Sequence, residues 1–67
     1  MEGVLLSEYS GADKYPNRTA QIRRTSLGYE VDLYDNEVLI ETREVHAHSE
    51  SYAEDVAENW TLGIIQC

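Results

Sequence analysis

The stretch Tyr29-Glu30-Val31-Asp32-Leu33-Tyr34-Asp35-Asn36-Glu37-Val38-Leu39-Ile40 decides the fold. Tyr29, Val31 and Leu33 alternate with Glu30, Asp32 and Tyr34, the period-two pattern of a strand with one buried face. Asp35-Asn36 interrupts it with two residues that tolerate the left-handed backbone of tight hairpin turns. A further strand over Glu37–Val45 follows, carrying Val38 and Ile40 on one side. With Asp35 and Asn36 at the tip, Leu33 pairs with Val38, Val31 with Ile40 and Tyr29 with Thr42. A slip by one residue would set Val31 against Glu41, so hydrophobic matching favours this register. It leaves Glu30, Asp32, Leu39 and Glu41 on the opposite, solvated face.

Upstream of this hairpin, Ala20 and Ile22 alternate with Thr19, Gln21 and Arg23, predicting a strand that ends at Gly28. Residues 7–17 collect turn formers and the only proline, and read as a loop; Gly3–Leu6 has room for no more than a short strand. Downstream of His48 the period becomes helical. Tyr52, Ala53, Val56, Ala57 and Trp60 make one apolar stripe, with Tyr52 and Trp60 as its core anchors. Ser51 with Glu54 has capping-box spacing, and Ser49 is the alternative cap. Gly63 is placed to end the helix. The expectation is an α+β fold in one domain spanning 1–67: irregular over 1–17, a three-stranded antiparallel β-meander over 18–45, and one C-terminal amphipathic helix over 49–62 packed on its apolar face.

Sixty-seven residues bury a thin core, and the single cysteine, Cys67, forms no internal disulfide. No purely apolar run exceeds three residues, as in Val4-Leu5-Leu6, and the opening segment carries an acid where a signal peptide carries bases. Both point to the cytoplasm and away from a membrane. The net charge is −8 and is polarised. Residues 1–27 hold four bases and three acids, whereas residues 28–67 hold Arg43 against ten acids. A surface so negative repels phosphate backbones, which disfavours nucleic acid as a partner.

Candidate chemistry is sparse. No phosphate-cradling glycine loop, nucleophile elbow or clustered Cys/His set is present, so no catalytic residue, cofactor or metal site is assigned. His46 and His48, two apart, could share a metal with Glu44 or Cys67, but two histidines do not close a site. Arg23-Arg24-Thr25-Ser26 has the form of a basophilic kinase substrate; its arginines are better explained as partners for acids on the next strand. The helix acids Glu50, Glu54, Asp55 and Glu58 have no lysine or arginine at helical spacing. Together with Tyr34, one of the tyrosines too numerous to bury, they form the candidate partner-binding residues.

The run Tyr52-Ala-Glu-Asp-Val-Ala-Glu-Asn-Trp60, with the preceding hairpin from Tyr29, resembles small uncharacterised proteins of cyanobacterial tailed phages over residues 29–65. The resemblance implies a phage gene product made inside a bacterial host, and carries no activity or site residues. Three functional expectations follow. The first is a non-enzymatic accessory protein that binds another protein, with homodimerisation as a way to add burial to so thin a core. The second is a DNA mimic that occupies a nucleic-acid-binding protein, and the third a metal-binding protein using His46 and His48.

Overall fold

The computed structural model describes residues 3–11 and 14–64. The architecture is α+β, with an antiparallel sheet and one C-terminal helix, but the sheet has four strands rather than three. They are β1 (Val4–Ser10), β2 (Arg18–Thr25), β3 (Gly28–Asp35) and β4 (Val38–Val45), in the order β1-β2-β3-β4, followed by α1 (Glu50–Thr61). The strand β1 occupies part of what reads as a loop. Its three apolar residues are consecutive, and the register shifts between Leu5 and Ser7, so Leu6 is an extra residue that breaks the alternation.

The registers align residues into rows across the sheet. Tyr9–Ala20–Leu33–Glu41, Ser7–Ile22–Val31–Arg43 and Val4–Arg24–Tyr29–Val45 face the helix side. Ala20, Ile22, Val31 and Leu33 are fully buried there against Ala53, Val56, Ala57 and Trp60, with Val45 beside them and Tyr9 and Tyr29 flanking. The helix lies over β2 and β3 and reaches β1. Ile22, Val31 and Leu33 are each worth roughly 1.5–3 kcal/mol relative to exposure, so this small patch dominates the stability.

The β3–β4 register corrects the hydrophobic matching. Asp35 pairs with Val38, which puts Asn36 and Glu37 at the tip, both with positive φ (54° and 66°). A bulge between Leu33 and Tyr34 then shifts the pairing again, so Leu33 opposes Glu41 and Val31 opposes Arg43. Matching failed because it assumed that β4 lies beneath the helix. It is instead an edge strand, and Val38, Leu39 and Ile40 are all exposed.

The helix is capped by Ser49, whose Oγ accepts from the Tyr52 backbone N–H, and not by Ser51. Its far end closes as Gly63 turns left-handed (φ 81°), with Gly63 N–H donating to Trp60 O and Ile64 N–H to Asn59 O. This is the paired closure that glycine permits after a helix. No base lies in the last turn. Arg18 of β2 supplies one instead: its guanidinium donates to Trp60 O (3.2 Å) and lies over both the Trp60 ring (4.0 Å) and the Tyr15 ring (4.4 Å). A positive charge there complements the helix dipole. Trp60 Nε1–H donates to Tyr34 O (3.0 Å), which ties the helix to the end of β3. No helix among the described residues is long and apolar enough to cross a membrane.

Candidate functional site

Alternation along the strands builds two unlike surfaces. On the face away from the helix, the rows are Leu5–Arg23–Glu30–Glu44, Glu8–Gln21–Asp32–Thr42 and Ser10–Thr19–Tyr34–Leu39. Nearly all of these are polar, and they bond to one another. Arg23 Nε donates to Asp32 Oδ2 (2.6 Å), and its NH2 donates to Asp32 Oδ1 (3.0 Å) and Glu30 Oε1 (2.9 Å). The Thr42 hydroxyl donates to Asp32 Oδ1 (2.8 Å), and Gln21 donates to Glu8 (3.1 Å).

Asp32, expected in solvent, is only 6% exposed. Burial pushes its carboxyl up, but the bonds from Arg23 and Thr42 and the arginine's charge outweigh this and hold it below its ordinary value. Arg23 is raised in turn, chiefly by its bond to Asp32. The expectation that Arg23 pairs with acids of the neighbouring strand therefore holds. Arg24 projects to the helix side, where it lies 5.9 Å from the Tyr29 ring centroid. Arg23 is held by carboxylates and the Thr25 hydroxyl donates to Gly28 O (3.1 Å), so these residues of the kinase-like motif are engaged in structure. Glu41 also departs from expectation. It lies on the helix side, 3.4 Å from Arg43 Nε, an ion pair without hydrogen-bond geometry.

The helix presents the second surface. Glu50, Asp55 and Glu58 are exposed and Glu54 is half-buried. Among the described residues none of the four meets a base, whereas Glu30, Asp32 and Glu41 on the sheet each meet an arginine. The field of the helix acids is registered by Tyr9 beneath them. Its phenol is raised above its ordinary value by burial first, then by Glu54, Glu58, Asp55 and Glu50.

Tyr34 does not join this surface. Its side chain belongs to the opposite face, where with Glu8, Thr19, Gln21 and Glu37 it lines a shallow groove of about 320 Å³. The five candidate residues therefore divide between two faces. Tyr52, expected in the core, is 44% exposed and stacks on His48, with ring centroids 3.8 Å apart and planes within 12°.

Among the described residues, the cluster of possible metal ligands that contains His46 does not include His48. Instead, His46 Nε2 lies 2.9 Å from Glu30 Oε2, and Glu30, Glu44 and His46 bring one ligand atom each to within 4.8 Å of one another. Glu30 was the member that sequence spacing missed, because it stands on a different strand from Glu44 and joins it only through the register. Cys67 lies outside the described residues.

No protein-family model, curated protein or solved structure matches the chain.

Proposed function

We propose that the protein is a small acidic non-enzymatic accessory protein that binds a basic surface of another protein through the exposed face of α1. One observation carries this reading: Glu50, Glu54, Asp55 and Glu58 gather on one helix with no cation among the described residues to neutralise them. Their mutual repulsion costs a few tenths of a kcal/mol per i,i+4 pair, and a basic partner would relieve it. The DNA-mimic reading uses the same charges. Glu50, Glu54 and Glu58 rise about 6 Å per step, so the row spans only some 12 Å, short for imitating a phosphate backbone. The resemblance of residues 29–65 supports a setting, a phage-encoded protein in the cytoplasm of its bacterial host. In this reading a homodimer would use the β4 edge, where Val38, Leu39 and Ile40 stand exposed.

The test is affinity capture from the cell that makes the protein, using the native chain and a variant carrying Glu50→Gln, Glu54→Gln, Asp55→Asn and Glu58→Gln. A specific partner should be retained by the native chain, lost with the variant, and released as salt is raised. A partner held equally by both chains at high salt would refute the reading, and a nucleic-acid-binding partner would shift it to mimicry. Sedimentation of the isolated chain reports the dimer.

A further inference from the structure

We infer that Glu30, Glu44 and His46 form a binding site for a divalent first-row metal ion, with zinc its best fit. This goes beyond the acidic-helix reading and is independent of it. The donors are a borderline imidazole nitrogen and two carboxylates, a set that suits zinc better than calcium or magnesium, which take oxygen ligands almost exclusively.

The site is built from rigid parts. Glu30 and Glu44 are direct cross-strand partners of β3 and β4 on the face away from the helix. Like charges so placed repel each other, and an ion between them removes the repulsion. Glu30 is held by the Arg23 NH2 bond to its Oε1 (2.9 Å), which leaves Oε2 turned toward His46. That is the outer-sphere orientation metal-binding carboxylates commonly receive.

His46 is fixed from behind. It follows Val45 at the end of β4, where His48 N–H donates back to Val45 O (3.0 Å). Its backbone presses on Gly28, where a Cβ would lie 2.7 Å from His46 Cα and 2.8 Å from His46 O. Only a residue without a side chain allows β4 to end this close to the β2–β3 turn. Three donor atoms within 4.8 Å of one another need only small rotamer adjustments to surround an ion held at about 2.0–2.2 Å. On binding, the Nε2 lone pair coordinates the ion, any proton on Nε2 is released to solvent, and water completes the sphere.

The test is calorimetric titration of the full chain, carrying Cys67→Ser so that no thiol competes, with zinc chloride. NMR of the histidine ring signals is recorded in parallel. One ion per chain should bind, with the His46 ring shifting and the His48 ring unmoved. Glu44→Gln, an exposed substitution that leaves the fold intact by circular dichroism, should weaken binding roughly tenfold or more. His46→Gln should do likewise, while His48→Ala and the four-residue helix variant should bind as the parent does. No heat and no His46 shift at millimolar zinc would overturn the assignment. So would binding that Glu44→Gln leaves unchanged, or binding lost with His48→Ala or with the helix variant.

Discussion

Replacing Arg23 by methionine probes the hydrogen-bonded face of the sheet most directly. The guanidinium makes three charge-assisted bonds, two to Asp32 and one to Glu30, with 24% of its side chain exposed. Its loss leaves the Asp32 carboxylate 6% exposed with the Thr42 hydroxyl as its remaining side-chain donor. Charged hydrogen bonds are worth about 1.5–3 kcal/mol each, but they share one cation and part of it is screened by water, so the net cost is put at about 3 kcal/mol. A domain of this length holds only ~3–10 kcal/mol, so the variant should melt roughly 10–20 °C lower.

The pH dependence gives a sharper signature. In the native chain Asp32 sits below its ordinary value of 3.8, so its stabilisation is present above that pH and lost as pH falls through the depressed value. In Arg23→Met, burial of Asp32 is no longer opposed by the arginine and its carboxyl rises. The destabilisation is then largest near neutrality and relieved as pH falls through the raised value. Urea unfolding followed by Trp60 fluorescence should therefore show the deficit shrinking from pH 7 toward pH 4. Adding Asp32→Asn should recover more than half of it. A deficit below about 1 kcal/mol, or one that is constant with pH, would refute the account of this face.

Four further outcomes are expected. Glu37→Gly, at a tip residue with φ 66°, should stabilise the protein by about 0.5–1 kcal/mol in urea unfolding, since glycine carries no left-handed penalty. Trp60→Phe removes the indole N–H bond to Tyr34 O and reduces the stack with Arg18, and should cost about 1–2 kcal/mol on the same assay. Gly28→Ala meets both a φ of 137° and the His46 backbone, so thermal melts should show a loss of at least about 2 kcal/mol, with His46 and Ala47 amide shifts marking the site. Tyr9 should ionise above 10 in an ultraviolet titration, with its contribution to stability falling as pH rises through that raised value. Neutralising the helix acids should lower the midpoint only part of the way, because burial remains.

Legibility in the sequence followed how strictly each element faces one environment. Helix α1 and strands β2 and β3 pack along the full core, so Val31, Leu33, Ala53 and Trp60 announce themselves by period. The edges do not. In β1 only Tyr9 packs against the core, and Leu6 breaks the alternation, so turn-forming residues dominate its reading. In β4 the apolar run Val38–Ile40 lies outside the helix's cover, and matching it to Val31 and Leu33 produced the wrong register.

Asp32 shows a different limit. Period two assigns it to the outer face, but only the structure shows that Arg23 and Thr42 enclose it there. Among the candidate residues, the helix acids were legible because their spacing is local. Tyr34 was misgrouped because nothing local says which face a strand residue shares with a distant helix. The Glu30–Glu44 meeting depends on the bulge that leaves Ile40 unpaired in β4, and no local pattern carries it.

The stack of Tyr15, Arg18 and Trp60 has a consequence for how the chain comes to be folded. Arg18 of β2 closes the end of a helix at Trp60, forty-two positions further along the chain. Gly63 then turns beneath the Tyr15 ring, in space that a side chain would have filled. The buried face of the sheet is covered only when α1, which follows all four strands in the chain, packs on it. Contacts of such long sequence separation slow folding and couple distant segments. The segment from Tyr15 to the start of β2 is therefore coupled to the end of α1, so loosening the last turn of the helix would loosen that segment as well.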